Sequence, residues 1–156
     1  MTLPNELIIF FSAMTPVLEL SGSIPYGIAV LEMDPWEVYF ISVTGNALAT
    51  GVLILIMEPV TRLLMKHSKT LNRVIQKVFD VTRQKHEKKI ANFGHWALYG
   101  ILSLPIPVIG VGGWTGALIV HLFGMKKLQG WAIVVAGMAT CGIFFTLGVE
   151  NVLKLF

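Results

Sequence analysis

Hydrophobic and polar positions divide the chain into four apolar regions around one basic loop. Trp36 to Met57 carries a single charge, Glu37, near its start, and Trp131 to Val149 carries none. Each approaches the roughly 20 apolar residues that a hydrocarbon core requires, so the pattern predicts full transmembrane helices over 36–57 and 128–150. Trp36, Tyr39 and Trp131 stand near the ends of these runs, where aromatic side chains favour the membrane interface.

The other two regions are interrupted. Leu3 to Leu31 is broken by Pro16, Glu19 and the string Ser21-Gly22-Ser23-Ile24-Pro25. Phe93 to Met125 is broken by Pro105-Ile106-Pro107 and by Gly110-Val111-Gly112-Gly113. Each splits into pieces of roughly 10 to 15 residues, too short to cross as straight helices. Broken backbone at membrane depth survives only where protein or a water-filled cavity shields it. The pattern therefore predicts two re-entrant helical hairpins, over 3–33 and 92–125. Gly22 and Pro25 would shape the first tip, and Pro105, Pro107, Gly110, Gly112 and Gly113 the second.

Charge orients this arrangement. Arg62, Lys66, Lys69, Arg73, Lys77, Arg83, Lys85, Lys88 and Lys89, 9 of the 12 Lys and Arg, lie between the two halves. By the positive-inside rule that loop is cytoplasmic, and Glu6, Glu32, Asp34 and Glu37 belong outside. A full span over 93–125 would put Lys126 and Lys127 outside; a re-entrant hairpin keeps them inside. Within 58–91, basic residues recur at three- and four-residue steps opposite Val60, Leu64, Leu71, Val74, Ile75 and Val78. That predicts a basic amphipathic helix, either on anionic headgroups or packed on the protein. The fold expected is a single all-helical membrane domain, 1–156, with two hairpins of opposite orientation. Secondary transporters use such inverted layouts, with discontinuous helices meeting near the midplane.

Composition agrees. Hydrophobic residues make up 54% of the chain and charged residues 13%, against about 25% charged in a soluble domain. The pI of about 9.1 does not imply nucleic acid, since aromatic residues do not interleave with the basic ones. Cys141 is the single cysteine, which excludes a disulfide framework and a thiolate metal site. Leu7 to Phe11 is preceded by Glu6 and no basic residue, unlike a secretory leader, so the segment is read as retained.

Glu19 is the most informative residue, a carboxylate at a break in an apolar region. Such groups normally face a cavity or a partner, which opens proton exchange or recognition of substrate charge. The plainer role is capping of the broken backbone. Asn46, in the first span, must find a partner, by default another helix. The Gly-rich stretch before Trp114 offers backbone amides at the start of a half-helix. His121 could relay protons, although a buried, hydrogen-bonded histidine is the plainer reading; His95 fits the interface. No HExxH, GxSxG or Walker sequence is present, so neither an enzyme nor a metal or other cofactor is expected.

Two motifs carry a resemblance. Pro16-Val-Leu-Glu19-Leu-Ser21-Gly22-Ser-Ile24-Pro25-Tyr-Gly27-Ile-Ala29 resembles the first signature of the putative small multi-drug export protein family. Pro105-Ile-Pro107-Val-Ile-Gly110-Val-Gly112-Gly113-Trp114-Thr115-Gly116-Ala117-Leu118-Ile119 is similar to its second. Gly45-Asn46 and Glu58-Pro59 match further family positions, so the resemblance covers nearly the whole chain. The family resembles the DedA superfamily, which implies paired re-entrant hairpins and translocation of polyprenyl-phosphate or other lipids. The family pattern has Arg where this chain has Ser21, so Glu19 lacks the expected ion partner. That favours protonation or a cationic substrate.

The combined reading is a multi-pass cell-membrane transporter, proton-coupled, moving a small amphipathic solute. Glu19, Ser21, Asn46, Trp114 and His121 are its candidate coupling or substrate-binding residues. One alternative is a DedA-like flippase or scramblase for a phosphate-bearing lipid, with Arg62, Lys126 and Lys127 on the headgroup. Another is a non-transporting membrane scaffold. A homodimer is expected, because two full spans shield two broken hairpins poorly.

Overall fold

A computed structural model describes residues 4–67, 76–77, 80, 95–105 and 112–155. Most of the proposed amphipathic helix, together with Pro107 and Gly110, lies outside the described residues. The elements are α1 (Asn5–Met14), α2 (Glu19–Ala29), α3 (Pro35–His67), α4 (His95–Ser103), α5 (Gly113–Leu122) and α6 (Lys127–Leu153). Among the described residues there is no strand.

Local chemistry sets the ends of these helices. Pro16 has no N–H to continue α1, and the Thr15 hydroxyl folds back to donate to the Ser12 carbonyl at 2.8 Å. Asp34 caps α3, accepting from the Trp36 and Glu37 amides at 3.0 and 3.1 Å, with Pro35 at the first helical position. α3 then runs past Met57 and through Pro59 to His67. Its 33 residues give about 50 Å of helix, well beyond a 30 Å hydrocarbon core. The first part of the basic region is therefore a continuation of the span.

Among the described residues, two helices are long and apolar enough to cross a membrane, over Pro35–Leu63 and Lys127–Leu153. Only 33% of the apolar window in each is buried, so most of that surface faces outward, as lipid contact requires. α3 and α6 are antiparallel and joined at three levels. Lys127 pairs with Glu58 at 3.1 Å, Trp131 Nε1 donates to the Ala47 carbonyl at 2.9 Å, and the Tyr39 hydroxyl donates to the Ala139 carbonyl at 3.2 Å. Tyr39 and Trp131 thus spend their polar tips between helices rather than on headgroups.

The short helices form two antiparallel pairs. Ile9 of α1 and Val38, near the start of α3, both meet Gly27 of α2. The far end of α1 reaches Asn46, whose Nδ2 donates to the Ala13 carbonyl at 3.3 Å. In the second pair, Val120 and Gly116 of α5 lie against Gly130 and Val134 of α6, while Leu102 of α4 packs on Gly137. The first pair opens at the Pro35 end of α3 and the second at the Lys127 end of α6. Because α3 and α6 are antiparallel, the pairs enter from opposite ends and their bends meet between the long helices.

Small residues allow this approach. A Cβ at Gly27 would come within 2.7 Å of Val38, and one at Gly45 within 2.6 Å of the Phe10 carbonyl oxygen. In lipid, where apolar burial between helices gives little drive, such close packing is a main source of association. Gly148 faces open space and takes no part in it.

Candidate functional site

The first bend lies at 15–18, not at Gly22 and Pro25. Those two residues sit inside α2, where Pro25 removes one ladder bond without stopping the helix. Pro16 is the breaker. Glu19 opens α2 with φ +42°, a left-handed backbone that costs a non-glycine residue on the order of 1–3 kcal/mol and persists only where its surroundings impose it.

The imposing surroundings are the second bend. Glu19 Oε1 accepts from the Trp114 backbone N–H at 3.3 Å, one residue into α5. The positive end of the α5 dipole therefore faces the carboxyl group. Gly112 and Gly113 make the approach feasible. A Cβ on Gly112 would run into the Glu19 carboxylate, and one on Gly113 would run into the Thr50 hydroxyl and Asn46 Oδ1. The Trp114 ring reaches the other way, its Nε1 donating to the Met14 carbonyl at 3.3 Å. This satisfies an otherwise orphan group at the end of α1.

Glu19 is 7% exposed, Asn46 2% and Thr50 1%. Among the described residues Glu19 is the one buried charged side chain. Asn46 is eleven residues into α3, about 16 Å along the helix at 1.5 Å per residue, roughly half the depth of a hydrocarbon core. A carboxylate, an amide and a hydroxyl thus gather at mid-depth, where the ends of two half-helices meet. Trp114 borders them and is partly exposed. In this setting the Glu19 carboxyl group faces the N-terminus of α5, beside the Asn46 amide and the Thr50 hydroxyl.

Other expected site residues lie elsewhere. Ser21 is exposed, and its hydroxyl donates to the Leu18 carbonyl at 3.4 Å. His121 does not join Glu19: seven residues beyond Trp114 is about 10 Å along a helix. It lines a separate cleft with Glu58, Arg62 and Lys127. In that cleft Arg62 pairs with Glu58 at 2.6 Å. Lys126 is exposed, immediately before α6, and Pro105 is exposed after α4. Thr50, which was not anticipated, carried a readable signal: it stands one turn from Asn46 on the same face.

Two long apolar helices, with two broken pairs meeting at a buried carboxylate between them, define an integral membrane protein. A model of the putative small multi-drug export protein family matches residues 19–144, and the chain belongs to that family. The match begins at Glu19, immediately after the first bend, and includes Gly112 to Trp114 at the second. Among curated proteins and solved structures, nothing matches the chain.

Proposed function

We propose that the chain is a proton-coupled transporter of a small amphipathic solute, and that the junction of Glu19, Asn46, Thr50 and Trp114 is its coupling and substrate site. One observation carries the reading: bends entering from opposite ends of the α3–α6 pair close on a single carboxylate, through the contact of Glu19 with the Trp114 amide. Two discontinuous pairs that meet at Trp114, through its amide on Glu19 and its indole on the Met14 carbonyl, can rock against each other and expose that carboxylate to either side in turn. On this reading the pairs α1–α2 and α4–α5 are re-entrant hairpins, with the Lys127 end cytoplasmic. Family membership supports transport at the coarser level.

The same reading makes the protein a homodimer in the cell membrane. Phe11, Val17 and Trp96, on or beside the short helices, are exposed, apolar surface that a second copy would cover. Reconstituted protein should take up a fluorescent cationic amphiphile when a proton gradient is imposed, and Glu19→Gln should abolish this. Movement of a labelled polyprenyl-phosphate without a gradient would favour lipid translocation instead, and movement of neither probe would favour a scaffold.

A further inference from the structure

A second site lies away from the Glu19 junction, at the end of the molecule where α3, α5 and α6 come together. Its cavity, about 480 Å³, has apolar walls from Ile54, Val120 and Met125. Its polar lining includes Glu58, Arg62, His121 and Lys127. An apolar groove of about 350 Å³ adjoins it, lined by Leu55, Leu128 and Trp131 and sharing Ile54 and Lys127 with the cavity. A charged chamber thus continues into an apolar slot.

The charges have both signs in a fixed order. Glu58 stands between Arg62 at 2.6 Å and Lys127 at 3.1 Å. The side chains of Arg62, Glu58 and Lys127 are 79%, 39% and 48% exposed, and ion pairs so exposed contribute little. A ligand can therefore exchange for them at small cost. A simple anion entering here would meet Glu58, and a simple cation would meet two positive side chains. A molecule with an ammonium beside an anionic group satisfies all three residues at once. The first residues of α6, beginning at Lys127, add the positive end of a helix on the anionic side.

We propose that this cleft binds a zwitterionic amphiphile, with its ammonium on Glu58, its phosphate or carboxylate on Arg62 and Lys127, and its apolar chain along Leu55, Leu128 and Trp131. The site is independent of the Glu19 reading, because neither Glu19 nor a proton gradient enters it. The shared chemistry is available from a phospholipid with a primary-amine headgroup or from a soluble zwitterion.

Binding to the full chain in maltoside micelles is measured by calorimetry with four probes: lysophosphatidylethanolamine, dodecyl phosphate, dodecylamine and chain-free phosphoethanolamine. The lysolipid should bind best among the chain-bearing probes. Glu58→Gln should weaken it roughly tenfold, about one charge-assisted pair, while strengthening dodecyl phosphate. Lys127→Gln should weaken the lysolipid and strengthen dodecylamine. Opposed gains of this kind cannot come from misfolding. Phosphoethanolamine binding as tightly as the lysolipid would identify a soluble zwitterion as the ligand, and much weaker binding would identify the lipid. Equal affinity for the three chain-bearing probes, or no change in preference in either variant, would overturn the proposal.

Discussion

Glu19 and Trp114, 95 residues apart in the chain, join the two halves through one hydrogen bond of 3.3 Å from the Trp114 amide to the Glu19 carboxylate. The bond links the first residue of α2 to the start of α5. It turns two separately broken regions into one polar junction at mid-depth.

Gly112→Ala tests the closeness of that junction. The added methyl would collide with the Glu19 carboxylate, and overpacking of this kind costs about 1–3 kcal/mol. Thermal unfolding in detergent should show the loss. Gly148→Ala, where nothing lies within 4 Å, should leave the midpoint unchanged or raise it slightly. Equal midpoints for the two variants would contradict the packing described.

Asn46→Leu removes the donor to the Ala13 carbonyl and the acceptor beside Thr50 Oγ1 at 3.5 Å. Interhelical hydrogen bonds in membranes contribute about 0.6–2 kcal/mol. The variant should unfold at a lower temperature, and Asn46→Gln should recover part of the loss if its amide reaches the same carbonyl. An Asn46→Leu protein as stable as wild type would show that the bond to α1 holds nothing in place.

Topology can be read from thiol labelling. In a Cys141→Ser background, a cysteine at position 126 should react with an impermeant maleimide only from the cytoplasmic side. A cysteine at position 32 should react only from the outside. Labelling of position 126 from outside would mean that 93–125 crosses the membrane fully, and the second pair would not be re-entrant.

Much of this architecture is legible in the sequence, because its signals are local. The spans announce themselves as long apolar runs with at most one charge, and Pro16 and the Gly112-Gly113 pair mark breaks through missing donors and missing side chains. Glu19 stands out as a charge in an apolar setting. The partner of Glu19 was not legible, since no local rule connects it to an amide in the other half. The extent of α3 was also hidden: Glu58-Pro59 and the basic residues beyond read as the end of a span, yet the helix continues to His67. Pro25 misleads in the same way, as a breaker that sits inside α2. His121 could have been placed correctly, since helix rise alone separates it from Trp114.

The most direct measurement is proton-gradient-driven uptake of a cationic amphiphile into proteoliposomes, with wild type compared to Glu19→Gln. The glutamine keeps an oxygen to accept from the Trp114 amide, so its unfolding midpoint should stay close to wild type, within about 1 kcal/mol. Uptake by wild type, with loss to the level of empty liposomes in the intact variant, is the result predicted. Undiminished gradient-driven uptake in Glu19→Gln would contradict a role for that carboxylate in coupling.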